Sequence, residues 1–156
     1  MFKWFRRTFT NINDKLSIAA SNGDLDTCVK LIRKGADIHT RDDLALRWAA
    51  LFGRRDVVKF LVENDANIHA ENDRALRWAA RNNHFEIMKL LVENGANIHA
   101  DNDEALRLAA ERGHLQVVDY LRQIVGLTYK CYNCLIKSTC LELCDEFNEP
   151  ARDSVE

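Results

Sequence analysis

Four cysteines crowd one short stretch of the chain, in the pattern Cys131-x2-Cys134-x5-Cys140-x3-Cys144. The first pair has the C-x-x-C spacing that supplies half of a zinc site, since two thiolates so spaced converge on one ion. A second C-x-x-C is missing, and only five residues separate the two pairs. Cys140 and Cys144 are four apart, which on a helix places both on one face. Cysteine also behaves as a small buried hydrophobe, and here Leu127, Leu135, Ile136, Leu141, Leu143 and Phe147 accompany it. Three uses therefore stand: a helical cap that buries this apolar set, zinc held by Cys131, Cys134, Cys140 and Cys144, or redox or lipidated thiols. The cap is the expectation, and zinc its competitor. The balance of the chain indicates an intracellular protein with reduced cysteines, which disfavours structural disulfides.

The histidines are the other candidate ligands. His39, His69 and His99 are thirty residues apart. If they sit on successive packed elements, these are about 8–10 Å apart. Zinc needs its nitrogens at about 2.0–2.1 Å, so three such residues are poorly placed to share an ion. They are expected to be structural turn residues, as are His84 and His114. There is no Gly-rich phosphate loop, no H-E-x-x-H, and no nucleophile–base–acid set in a context that would expose it. No catalytic residue is assigned, and the chain is expected not to be an enzyme.

The thirty-residue spacing organises the whole chain. ALRWAA occurs at 45–50 and 75–80, with ALRLAA at 105–110; ADIH at 36–39 becomes ANIH at 66–69 and 96–99. More than half of residues 40–69 are identical to residues 70–99 without gaps. Thirty places before Ala49 and Ala50 lie Ala19 and Ala20, so a diverged copy begins near residue 10. The fourth copy holds register through Leu121, then loses it, because Val125 stands where Gly35 and Gly95 should be. Fixed-period repetition of this kind marks a stacked-repeat architecture.

Each unit reads as two short helices. Asn13, Asp43, Asp73 and Asp103 share a column of N-cap residue types, expected to open the first helix. Segments such as Ala75 to Arg81 are rich in good helix formers. Gly23, Gly53, Asn83 and Gly113 then stand where a helix ends on a left-handed residue. The second helix carries apolar columns: Leu25, Phe85 and Leu115; Cys28, Val58, Met88 and Val118; Leu31, Leu61, Leu91 and Leu121. Gly35 and Gly95 stop it, with Asp65 as the tolerated exception. One such hairpin cannot bury its apolar face alone, so neighbours must stack.

These residues resemble the ankyrin repeat: ALRWAA followed by G-H-type residues, a VVKFLVE-type second helix, then GADIH or GANIH. The resemblance implies an all-α solenoid of four stacked helix-turn-helix repeats. The T-P-L-H that usually opens the first helix is replaced by Leu44-Ala45-Leu46-Arg47 and its equivalents ending in Arg77 and Arg107. That removes the prolines and a polar link between helices, part of which the arginines are expected to replace. Three residues fewer than the usual 33 shorten the hairpin fingers. The thirty-residue form with ALRWAA and ANIHA is similar to ankyrin arrays of amoeba-infecting giant viruses.

By the same resemblance, partner proteins bind a concave surface built from fingers and first helices. Its residues would be Ser21, Asn22, Leu51, Phe52, Arg81, Asn82, Glu111 and Arg112, which vary while their neighbours stay fixed. Leu51 and Phe52 are the expected anchors, unless they pack beneath the preceding turn. Arg41, Asp42, Glu71, Asn72, Asp101 and Asn102 would form a polar rim on the fingers. Trp48 and Trp78, in a column with Ile18 and Leu108, are expected in the core.

The organisation is then an N-terminal basic and aromatic extension (1–9), four repeats (10–39, 40–69, 70–99, 100–125), a Cys-rich helical cap (126–148) and a polar tail (149–156). In the first extension Phe2, Trp4, Phe5 and Phe9 alternate with Lys3, Arg6 and Arg7. It is read as a helix covering the first repeat, with an interfacial membrane contact as the alternative. The 156 residues are 47% hydrophobic and 29% charged, with a net charge of −2. That composition excludes a disordered chain and gives no electrostatic case for nucleic acid. No apolar run is long enough to span a bilayer. The expected function is a non-catalytic, monomeric adaptor of the cytoplasm (host cytoplasm in a viral setting) that binds a protein partner without a cofactor. The alternative is a zinc-binding regulatory protein whose Cys-rich tail carries the function.

Overall fold

The structure is a computed structural model that describes residues 11–125. Among these residues there are eight helices and no strand: α1 (Ile12–Asn22), α2 (Leu25–Arg33), α3 (Thr40–Leu51), α4 (Arg55–Glu63), α5 (Ala70–Arg81), α6 (Phe85–Glu93), α7 (Ala100–Glu111) and α8 (Leu115–Val125). Each odd helix and the even one after it form a hairpin, and four hairpins stack in chain order. The odd helices lie against one another in one layer and the even helices in a second. The two N- and C-terminal extensions, with all four clustered cysteines, lie outside the described residues.

Small side chains decide the spacing of the first layer. Ala19, Ala20, Ala49, Ala50, Ala79, Ala80, Ala109 and Ala110 are buried, and an alanine face lets helix backbones approach closely. The odd helices touch along much of their length, whereas the even helices meet their neighbours far less. Helices closer on one side than on the other bend the stack, with the first helices inside the curve. Larger residues fill the space between layers: Leu16, Leu46, Leu76 and Leu106 from the first helices; Cys28, Val58, Met88 and Val118, with Leu61, Leu91 and Leu121, from the second. Each such Leu, Val or Met is worth about 1.5–3 kcal/mol relative to leaving it exposed.

The helix ends follow the expected left-handed stops. Gly23, Gly53, Asn83 and Gly113 have φ between 60 and 82, and Gly35, Asp65 and Gly95 have φ of 88, 66 and 94. At Gly53 a second constraint acts, because an added Cβ would meet the His84 ring at 2.7 Å. Asp and Asn are the side chains that tolerate this region best, which accounts for Asp65 and Asn83 as replacements.

Three expectations are overturned. Asn13, Asp43, Asp73 and Asp103 are not N-caps: Asn11 caps α1 by accepting from the Asp14 amide at 2.8 Å. The other three end a left-handed turn, Arg41-Asp42-Asp43, Glu71-Asn72-Asp73 or Asp101-Asn102-Asp103, every residue of which has φ between 51 and 57. This turn is all that remains of the hairpin finger. Trp48, Trp78, Ile18 and Leu108 are half-buried, not core, because the alanine pairs beneath them leave no room between adjacent first helices. The Leu25–Phe85–Leu115 column is not a core column either: Leu25 and Phe85 are half-buried, and Leu115 is 61% exposed.

Candidate functional site

The turn residues are tied into a ladder that crosses every repeat boundary. The side-chain Oδ1 of Asn13, Asp43 and Asp73 accepts the backbone amide of Asp37, Asn67 and Asn97 respectively, each at 2.8 Å. Those residues in turn accept the amides of His39, His69 and His99 at 2.9–3.0 Å. The histidine rings close the circuit, Nδ1 lying 3.1 Å from Asp43, 3.0 Å from Asp73 and 2.7 Å from Asp103. A His–carboxylate pair is half of an acid–base machine, and such pairs activate nucleophiles elsewhere. At Asp43 and Asp73 the oxygen that the histidine of the preceding repeat faces also holds the amide of Asn67 or Asn97 near the end of its own repeat, so these pairs are scaffold. Among the described residues, no three His, Cys, Asp or Glu side chains are grouped to hold a metal.

The arginine column latches the same turns. Arg47 donates through Nε to the Asp42 carbonyl at 2.8 Å and through Nη2 to the Arg41 carbonyl at 2.5 Å. Its Nη1 pairs with Glu71 of the next repeat at 2.5 Å. Arg77 repeats the pattern on the Asn72 and Glu71 carbonyls at 3.0 and 2.8 Å, and pairs with Asp101 at 2.6 Å and with Glu104. The planar guanidinium suits this task, because its fork offers several donors in fixed directions. In the first repeat Ser17 fills the column, and there the helix starts without a left-handed turn.

A third column bridges the opposite ends of the first helices. Arg54 Nε donates to the Ser21 carbonyl at 2.9 Å, His84 Nε2 to that of Leu51 at 3.1 Å, and His114 Nε2 to that of Arg81 at 2.9 Å. The structural role expected for His84 and His114 is thus explained: each pins the residue that follows an Ala-Ala pair one repeat earlier.

The rim residues are consequently less available than their sequence position implied. Arg41 pairs with the buried Asp14 at 3.0 Å; Glu71 is held by Arg47 and Arg74; Asp101 is held by Arg77. Of the residues placed on the first helices, Phe52 is 51% exposed. Leu51 is half-buried, Arg81, Glu111 and Arg112 are exposed, and Asn82 is half-buried with its amide donating to the Trp78 carbonyl at 2.9 Å.

What the column pattern missed is the aromatic stripe beside them. Trp48 lies one turn before Phe52, the residue that ends α3 and donates its amide to the Trp48 carbonyl, and Trp78 and Leu108 continue the Trp48 row in the next repeats. The Arg74 guanidinium sits 4.9 Å from the Trp78 ring centroid, a cation–π arrangement that holds the ring's orientation. Ile18, Trp48, Trp78 and Leu108 thus form a half-buried apolar row across the first helices, with exposed Phe52 at its edge. The signal was present in the sequence: two tryptophans a few places before the variable residues, on the helix lining the inner side.

The repeat signature is matched by known proteins. The family model described as ankyrin repeats in three copies matches residues 16–102 and 71–133. An ankyrin repeat protein of Rickettsia felis is 44% identical over 50 residues, which cover 30% of this chain and 79% of that protein. With the stacked hairpins, the buried alanine pairs and the ladder at each turn, these matches establish that the chain belongs to the ankyrin repeat family.

Proposed function

We propose that this chain is a non-catalytic adaptor that binds a partner protein on the face of its first helices. Ankyrin repeats generally mediate contacts between proteins. The observation that supports the reading here is exposed Phe52 beside the half-buried row of Trp48 and Trp78. Large aromatic side chains standing in a polar surround are the residue types that dominate binding energy at protein interfaces. Leu51, Arg81, Asn82, Glu111 and Arg112 border the row and would set specificity; Arg41, Glu71 and Asp101, already paired within the stack, would contribute less. The thirty-residue unit, similar to that of giant-virus arrays, supports a cytoplasmic site of action, the host cytoplasm in a viral setting.

The test is capture of partners from a host-cell lysate with three proteins: the parent chain, Leu51→Ala with Phe52→Ala, and Trp48→Ala with Trp78→Ala. Both double variants should keep their helical circular dichroism, and each should lose the partner that the parent retains. Retention of every partner by both variants would remove the first-helix face from consideration.

A further inference from the structure

Internal repetition makes it possible to ask what each residue of the fourth repeat lacks compared with its counterparts. The Asp43 and Asp73 side chains are 3% and 6% exposed and each accepts an amide 24 residues further on. Asp103, in the same column and the same left-handed turn, is 48% exposed and accepts no backbone amide among the described residues. Arg47 and Arg77 reach carboxylates of the following repeat. Arg107 is exposed, and it has no carboxylate partner among the described residues. Phe85 packs edge-on against Tyr120 of the next repeat at 5.5 Å between centroids. Leu115 occupies the Phe85 column and stands 61% exposed. The fourth repeat therefore ends in a face on which the turn acceptor Asp103, and the cation and apolar residue that elsewhere meet the following repeat, are all open.

Four observations bear on what would cover it. α8 has no left-handed stop at the place where α4 and α6 end, and it runs 11 residues against their 9. Ile124 stands in the column of Lys34, Asn64 and Asn94, the polar residues that end the other second helices, and is 46% exposed. An apolar residue put where the repeat otherwise uses polar ones is a surface that a cover would bury. The step of 24 residues from Asp103 falls on Leu127, two places past α8. Finally, that segment carries Leu127, Leu135, Ile136, Leu141, Leu143 and Phe147 to meet Leu115 and Ile124, and Glu142, Asp145 and Glu146 to meet Arg107. A second copy of the chain is a poorer fit: the residue it would offer to Arg107 is Asp14, which already holds Arg41 of its own repeat stack at 3.0 Å.

We propose that residues 127–147 dock on the open end face of the fourth repeat, over Asp103, Arg107, Leu115 and Ile124. The segment's cysteines belong to this contact, which gives the cysteine cluster a role in closing the stack. The proposal stands apart from the partner-binding face and does not depend on it.

The four clustered thiols are built-in reporters. The full chain is treated with iodoacetamide in the presence of EDTA, and the alkylation rate of each cysteine is read by mass spectrometry. The reference is a peptide of residues 126–156 under the same conditions. Buried Cys28 serves as the folding control. At least two of Cys131, Cys134, Cys140 and Cys144 should label tenfold or more slowly in the protein than in the peptide. Arg107→Glu with Leu115→Asp should bring them within threefold of the peptide rate while Cys28 stays protected. If Cys28 becomes reactive in that variant, Ile124→Asp alone takes its place and the same result is required. Peptide-like rates in the parent protein overturn the proposal, as does protection that survives the end-face substitutions. Protection that grows with protein concentration and coincides with a dimer mass overturns it in favour of a second copy.

Discussion

Arg47→Ala isolates the interaction that makes this variant of the repeat possible. The turn at Arg41, Asp42 and Asp43 places three consecutive non-glycine residues in the left-handed region. At about 1–2 kcal/mol per residue, that conformation costs about 3–6 kcal/mol before any compensation. The buried Arg47 side chain offsets it with two hydrogen bonds to the turn's own carbonyls and an ion pair to Glu71. Hydrogen bonds from a charged donor contribute about 1.5–3 kcal/mol net each. The lower figure applies here, because Arg41 and Asp42 are exposed and their carbonyls regain water when the arginine is lost. The ion pair adds less than about 1 kcal/mol, since Glu71 is partly solvated and keeps Arg74. The sum is about 3 kcal/mol of stability lost on Arg47→Ala. Arg47→Lys should recover less than half of it, because one ammonium cannot reproduce the fork.

The assay is urea unfolding followed by circular dichroism and tryptophan fluorescence. With an m-value of about 2 kcal/mol/M, the Arg47→Ala midpoint falls by about 1.5 M. The control lies in the same molecule: Arg107 is exposed and makes one turn hydrogen bond, at 3.3 Å. Arg107→Ala should cost under about 1 kcal/mol, the usual range for surface substitutions. Equal, small shifts for Arg47→Ala and Arg107→Ala would refute the latch, and so would unchanged hydrogen exchange at residues 41–44 in the Arg47 variant.

Three further outcomes rest on single contacts. Gly53→Ala should destabilise by about 2–3 kcal/mol, combining a left-handed alanine with a steric clash on the His84 ring; Gly35→Ala, which meets nothing within 4 Å, should cost about 1 kcal/mol, and thermal melts that rank them the other way would contradict the close approach. Burial pushes the Cys28 thiol up to about 11, so its thiolate, the reactive form, is scarce at pH 8 and grows only as pH rises toward that value; alkylation of Cys28 in native protein at pH 8 at the rate seen in urea would refute its burial. Asp73→Ala removes the acceptor of the Asn97 amide and the partner of His69 and should cost about 3 kcal/mol, whereas Asp73→Asn keeps the acceptor and the left-handed preference and should lose about 1 kcal/mol; chemical denaturation that finds the two equal would mean the bond to the Asn97 amide contributes nothing.

The period, the helix pairs and the glycine stops were legible in the sequence because each is local: helix formers, a stop residue, and an apolar spacing repeated four times. The Asp column was misread for a physical reason. An Asp before a helix is an N-cap when the chain enters the helix in extended conformation, but Asp43 and Asp73 enter from a left-handed turn and instead accept the amide of Asn67 or Asn97, 24 residues further on. Nothing in the propensities of Arg-Asp-Asp or Glu-Asn-Asp announces three left-handed residues in a row. The clue was relational, three arginines in the one column where the repeat without such a turn has Ser17. The tryptophans were misplaced because period alone reports which residues share a face, not whether that face is covered. The buried alanine pairs settle the matter by bringing adjacent first helices too close for an indole to pass between.

That division of labour bears directly on where recognition can occur. A residue committed to holding neighbouring repeats together is costly to spare for a partner, because withdrawing it exposes strain or an unsatisfied amide. The turns are committed in this way by the His–Asp–Asn ladder and the arginine latches, and the residues after the alanine pairs are committed through their carbonyls only. Leu51 and Arg81 give their backbone oxygens to His84 and His114, which fixes the helix end and leaves the side chains to vary. Phe52 and the half-buried indoles are likewise carried on rigid helix ends, so little ordering entropy stands against contact with a partner. It follows that substitutions in the turns should lower stability and binding together, while substitution of exposed Phe52 should lower binding alone. A partner whose affinity tracked stability across both sets would place its contact on the turns and not on the helices.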